Sequence, residues 1–223
     1  MKGDVSDYQQ VESLIKTYQP KFIFHLAANS SSRHDRLFEN HATISTGTIN
    51  ILESARLFAP KAKIFITGSG LQFKNSGDPI SETEDFQAKD AYSVARIHSV
   101  YAARYFRTLG MNVYIGYLFH HESPLRKHSH VSQMIVSAVK RIADGSQERV
   151  EVGDITVEKE WTYAGDVVKG IMTLVEQDVF YEAVIGSGVA YSIEEWLIQC
   201  FNLISKDWHD YVIIKEGFES ECH

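Results

Sequence analysis

Residues 21–27 read KFIFHLA, and this short run decides the fold. Phe22, Ile23, Phe24 and Leu26 leave almost no polar alternation, which marks a strand buried on both faces rather than one with a wet side. Such strands belong to parallel sheets covered by helices, and the flanking sequence supplies the helices. Upstream, Ser6-Asp7-Tyr8-Gln9 has the form of a capping box, with Ser6 as cap and Gln9 reaching back. Tyr8, Val11, Leu14, Ile15 and Tyr18 then recur on one helical face until Pro20. Downstream, the polar Asn29-Ser30-Ser31-Ser32 loop precedes a second helical pattern, Ile44, Thr48, Ile51, Leu52 and Ala55, which closes near Pro60.

The alternation continues along the chain. Residues 63–67 (KIFIT) form the next apolar strand and run into Gly68-Ser69-Gly70. Residues 90–109 read as a helix stopped by Gly110, and 112–119 as a third strand. Further on, 131–143 and 164–176 read as helices and 149–152 and 182–185 as strands, and Ser192-Ile193-Glu194-Glu195 is a capping box opening a helix to Leu203. The expected class is α/β with a parallel sheet. Residues 1–120 form one expected domain and 121–223 a smaller α/β region, from which 164–186 return to the main sheet.

Composition narrows the functions. The chain has 223 residues, 44% of them hydrophobic and 23% charged, which is globular and excludes a disordered or fibrous chain. Twenty-nine acidic side chains against 22 basic ones give a net charge of -7, so no nucleic-acid partner is expected. No apolar run reaches the roughly 20 residues of a membrane span, and no apolar core follows residues 1–4 (MKGD) to make a signal peptide. Cys200 and Cys222 are too few for a disulfide scaffold, and a cytoplasmic address is expected.

In a parallel sheet ligands sit beyond the C-terminal strand ends. That directs attention to the loops after Ala27, Thr67 and Phe119. Near them, Tyr92 and Arg96 lie four residues apart and so share one helix face. Each feature alone has an ordinary reading: Tyr92 as a packing ring, Ser69 as a turn residue. His120-His121-Glu122 suggests a metal site, yet adjacent side chains on an extended chain point to opposite faces, so no metal is expected.

Taken together and in this order, these segments resemble the extended short-chain dehydrogenase/reductases, and within them the GDP-mannose 4,6-dehydratases. Gly3-Asp4-Val5-Ser6-Asp7 resembles the family's GDLTD, and residues 25–30 (HLAANS) its NLGAQS. Residues 118–124 (LFHHESP) resemble LFNHESP, residues 153–168 resemble RDWGHAKDYV, and residues 207–212 (DWHDYV) resemble DWxxYV. The resemblance implies a Rossmann-like sheet, NAD or NADP as cofactor, and a nucleotide-diphosphate sugar as substrate. It implies catalytic roles for Ser69, Tyr92 and Arg96. Cofactor contacts fall to Asp4, Val5, Leu26, Ala27, Ala28, Ser30, Thr67, Tyr92, Arg96 and Phe119, and substrate contacts to His120, Glu122, Ser123, Arg126, Val131 and Lys159. In the family the tyrosine is a general base that takes a hydroxyl proton while a hydride leaves sugar C4, giving a 4-keto intermediate. A free phenol titrates at about 10, so the reaction needs a fixed cation beside it.

The pattern is broken in four places. Arg96 stands where the family has lysine, and a planar guanidinium does not relay protons. Leu71 stands where the dehydratases carry the glutamate that removes the C5 proton. Leu125, Gln133 and Met134 replace substrate-phosphate cations, leaving Arg126, Lys127 and Lys159. No GxxGxxG occurs, and on the resemblance the chain begins where the family's third strand ends. The sheet is therefore expected to lack three strands and to present residues 22–24 as an apolar edge. Two functions are expected from this: a sugar-nucleotide dehydratase/epimerase-type enzyme, or a catalytically inactive homologue acting as a binding or scaffold subunit. The partner is expected to be a second copy docked through the Tyr92 helix, or a protein covering the open edge.

Overall fold

The computed structural model describes residues 3–215. In chain order the elements are α1 (Tyr8–Tyr18), β1 (Phe22–His25), α2 (Leu37–Asn40), α3 (Gly47–Phe58), β2 (Lys63–Ser69), α4 (Ala91–Thr108), β3 (Asn112–Leu118), β4 (His121–Glu122), α5 (Val131–Ala143), β5 (Val150–Val152), β6 (Glu158–Glu160), β7 (Thr162–Tyr163), α6 (Ala164–Glu176), β8 (Glu182–Ile185), β9 (Ala190–Ser192), α7 (Ile193–Asn202) and β10 (Val212–Ile214). They fall into two compact units, residues 1–119 with 167–185, and residues 120–166 with 186–223.

The first unit holds a four-stranded, all-parallel sheet in the order β1-β2-β3-β8. Register sets Lys63 beside Phe22 and Asn112, and Glu182 beside Ile115. Because side chains alternate along a strand, Ile64, Ile66, Val113 and Ile115 enter one core with Ile51, Leu52 and Val100. Phe65 and Tyr114 enter the opposite core with Val167, Ile171 and Val175 of α6. Helices on both faces are the physical reason these strands read as unbroken apolar runs. β1 pairs only with β2 among the described residues, and Phe22 and Phe24 stay 44% and 39% exposed, as expected of an edge. On the other edge, Val184 N–H donates to the Glu82 carboxylate at 2.6 Å.

Three local expectations need correction. The cap of α1 is Asp7, not Ser6: its carboxylate accepts from the Gln9 and Gln10 N–H groups, while the Ser6 hydroxyl donates to Asp4 at 2.7 Å. The second helix starts well before Ile44, as α2 continues through a π-helical stretch, His41–Thr46, into α3. β2 runs on through Gly68 and Ser69. A Cβ at Gly68 would lie 2.6 Å from the Tyr117 ring, so only glycine lets the two strands close up there.

The second unit is built on α5 and α7. Ile135, Val139 and Ile142 pack with Val150, Leu197, Phe201 and Trp208. Ser192 and Glu195 form the expected capping box of α7. Parallel pairs β5–β10 and β4–β7 and the antiparallel pair β6–β9 complete it. Cys200 is a buried free thiol, and Cys222 lies outside the described residues. Among the described residues no helix is long and apolar enough to cross a membrane.

Candidate active site

In the first unit the strand ends converge on Arg96. Asp90 caps α4 by accepting from Ser93 N–H at 2.7 Å, which puts Tyr92 in the first turn and Arg96 one turn later. Arg96 Nε donates to the Tyr92 hydroxyl at 3.0 Å and Nη1 to the Thr67 carbonyl at 2.6 Å, with the guanidinium 5.1 Å from the centre of the Tyr92 ring. The Thr67 hydroxyl in turn donates to the His25 carbonyl at 2.8 Å. β1, β2 and α4 are thus tied by one chain of bonds. Arg96 is only 3% exposed, so it braces Tyr92 from inside the fold.

Ser69 closes β2. Its hydroxyl oxygen accepts from Leu71 N–H at 3.2 Å, and its own N–H donates to Gln72 Oε1 at 2.9 Å. Among the described residues no hydrogen bond joins Ser69 to Tyr92: Ser69 is bonded to Leu71 N–H and Tyr92 to Arg96. Leu71 leaves this turn without a carboxylate. Phe119 lies against Gly70, where a Cβ would meet its ring at 2.8 Å.

The remaining expected cofactor residues are spread over the same strand ends. Leu26 is 56% exposed and Ser30 is exposed, while Ala27 and Ala28 lie at the strand exit. Val5 packs beside Gly47. The Asp4 carboxylate accepts from Ser6 N–H and Oγ–H, bonds that hold it below the usual carboxylate range. His25, the first residue of the HLAANS stretch, is 2% exposed, and neither ring nitrogen has a hydrogen-bond partner. Burial first, and then the Arg96 charge, push its imidazole down to about 4.

The second unit gathers most of the expected substrate residues. His120 Nε2 lies 2.7 Å from Glu122 Oε1. Arg126 Nη1 donates to the His121 carbonyl at 3.0 Å, and its Nε lies 3.7 Å from Glu122. Burial works to raise the Glu122 carboxyl, but the His120 ring, the Ser132 hydroxyl and Arg126 hold it below the usual glutamate range. Ser123 is used locally: its hydroxyl accepts from Leu125 N–H, and its carbonyl from Gln133. Val131 opens α5, and Lys159 sits in β6 opposite Tyr191. Missed from the sequence was the wall beside His120: Trp161 meets its ring edge-on at 5.3 Å and stacks on Trp196 at 4.8 Å. Among the described residues no group of three or more His, Cys, Asp or Glu is placed to hold a metal.

Known proteins are similar to this chain in sequence and in fold. Residues 1–219 match the family model described as GDP-mannose 4,6 dehydratase. GDP-mannose 4,6 dehydratase 1 of Arabidopsis thaliana is 26% identical over 223 residues, covering 97% of this chain and 62% of its own length. GDP-mannose 4,6 dehydratase 2 of Caenorhabditis elegans is 30% identical over 200 residues, covering 87% of this chain and 52% of its own length. The chain therefore spans roughly half to three fifths of these curated relatives. Among solved structures, RMD from Pseudomonas aeruginosa, complexed with NADPH, superposes with a TM-score of 0.87 at 19% identity, over 97% of this chain and 74% of that one. The dTDP-glucose 4,6-dehydratase of Bacillus anthracis, in complex with NAD, gives 0.83 at 16% identity, over 99% and 68%. The fold is accordingly the Rossmann-like α/β fold of the extended short-chain dehydrogenase/reductases.

Proposed function

The chain belongs to the GDP-mannose 4,6-dehydratase family, and from that premise we propose that it serves as an NAD(P)-dependent enzyme acting on a nucleotide-diphosphate sugar through a 4-keto intermediate. The observation that carries this reading is the Arg96–Tyr92 bond at the C-terminal end of a parallel sheet, where a guanidinium donates to a phenolic oxygen at 3.0 Å. A dinucleotide, when bound, would take the hydride from sugar C4 and return it. Tyr92 then accepts the hydroxyl proton, and Arg96 stabilises negative charge on the phenolic oxygen without giving up its own proton. Ser69, whose hydroxyl hydrogen has no acceptor among the described residues, is free to donate to the substrate oxygen.

The fit to a dinucleotide is uneven. Tyr92, Ser69, Asp4 and the exposed loop at Leu26 and Ser30 offer the hydroxyls, carboxylate and backbone that its sugars need. Arg96 is spent on Thr67 and Tyr92 rather than offered to a ribose, and no GxxGxxG lies within these 223 residues. Leu71 moves no proton, which favours epimerisation or 4-keto reduction over dehydration. The buried Arg96 and apolar Leu71 also favour a second reading, a homologue that binds without turning over.

Calorimetric titration of the chain with NAD+ and NADP+ tests the enzyme reading. Binding of either supports it, and no heat with both removes it. We further propose a second copy as partner, docked on the apolar groove lined by Ile49, His98, Tyr101, Ala102 and Tyr105 between α3 and α4. Tyr101 and Tyr105 are each 59% exposed there, and sedimentation showing only monomer would exclude the dimer.

A further inference from the structure

Within the second unit, His120 and Glu122 form a pair with the parts of a proton-transfer device. The Glu122 side chain is 10% exposed, with Arg126 3.7 Å away and the Ser132 hydroxyl beside it. A carboxylate held in its charged form accepts but cannot donate. The hydrogen of the 2.7 Å His120–Glu122 bond therefore sits on Nε2, which places the lone pair of the ring's neutral form on Nδ1. That nitrogen has no hydrogen-bond partner among the described residues, and the side chain is 24% exposed. Trp161, edge-on at 5.3 Å and backed by Trp196, sets the plane of the ring. An imidazole with one nitrogen fixed by a buried carboxylate and the other open is the arrangement general acid–base chemistry requires.

We propose that His120 is a general acid–base group, with Glu122 as its positioning residue, that moves a proton on the 4-keto sugar of a nucleotide-diphosphate sugar. The proposal rests on the substrate class given under Proposed function. In the forward step the Nδ1 lone pair takes a proton from the carbon next to the ketone. An N–H bond forms as the C–H bond breaks, and the electron pair passes into the carbonyl to give the enolate. The imidazolium charge is offset by Glu122, and return of the proton to carbon restores both partners. No oxidant is consumed in this exchange.

Two measurements on the full chain decide it. Long-range proton–nitrogen NMR, with His120→Asn to assign the ring, is expected to show the Nε2–H form near neutral pH and a mixture of forms in Glu122→Gln; an Nδ1–H ring in the unaltered chain overturns the pairing. In deuterium oxide, a GDP-linked 4-keto sugar supplied directly is expected to exchange the hydrogen next to its ketone. His120→Asn should slow that exchange about 100-fold while calorimetric affinity for the sugar nucleotide moves less than about threefold. Exchange no faster than in buffer, or unchanged in His120→Asn, overturns the role. Exchange with the ketone but no reaction of GDP-mannose with NAD+ would instead leave the role standing and remove the redox reading.

Discussion

Replacing His25 by asparagine asks whether a buried imidazole next to Arg96 sets the acid limit of the first unit. His25 is 2% exposed at the end of β1. Burial and then the Arg96 guanidinium lower it from 6.5 to about 4, while the Ile44 and Thr43 carbonyls pull less strongly the other way without meeting the ring in hydrogen-bond geometry. Between those two values the unfolded chain takes up a proton that the folded chain refuses. Stability is therefore complete above about pH 6.5 and drains as pH falls toward about 4. Each tenfold difference in proton affinity is worth about 1.4 kcal/mol, so the full loss is about 3 kcal/mol. Near pH 5 about 2 kcal/mol of it is already gone.

Static costs of the substitution, such as lost ring volume, are the same at every pH and cancel when each protein is compared with itself. Urea unfolding followed by circular dichroism near pH 7.5 and near pH 5 should show the unaltered chain losing about 2 kcal/mol more than His25→Asn. Parallel losses, within about 0.5 kcal/mol, would refute both the buried neutral imidazole and the influence of Arg96 on it.

Three further outcomes follow from other sites. Glu182 accepts from Arg104, Arg107 and Tyr117; burial raises its carboxyl, but these donors hold it at about 2. Glu182→Gln should cost about 2 kcal/mol near neutral pH after allowance for partial exposure, with the difference shrinking as pH falls from about 4.5 toward 2; a constant difference in urea titrations would contradict this. Tyr92→Phe removes the acceptor of Arg96 Nε and should cost about 1–2 kcal/mol of stability, and any turnover should drop about 100-fold; a variant as active as the parent would end the role of Tyr92. Burial pushes the Cys200 thiol up to about 11, so iodoacetamide should label it slowly in the native protein and readily in denaturant, as followed by mass spectrometry.

Strands β2 and β3 were legible because both their faces are covered, which forces apolar runs at 63–67 and 112–118, whereas 22–24 is an apolar run whose Phe22 and Phe24 stay exposed. Helices α4 and α7 were legible with an end signal each, the Gly110 stop and the Ser192–Glu195 capping box, and α5 and α6 without one. Less visible were the ladders of two or three residues in the second unit, since β5 and β10 have too few positions to show alternation and pair across 62 positions of sequence. Ser6 and Asp7 are both good caps and adjacent, so only the geometry of the turn could choose Asp7. The π-helical stretch left no compositional mark.

For the site, the loops at the strand ends and the resemblance to the dehydratase family together picked out Tyr92, Arg96, Ser69 and the His120–Arg126 stretch. What each side chain is bonded to depends on contacts between residues far apart in the chain. Arg96 meets a carbonyl 29 positions away, and that bond turns the cation expected at a ribose into an internal brace. His25 is made hard to protonate by a charge that folding brings from another element. Local sequence determines which chemical groups are available and which helix or strand carries them, because those preferences act over a few residues. Desolvation and the pairing of buried charges depend on packing from all sides, and those came only with the folded chain.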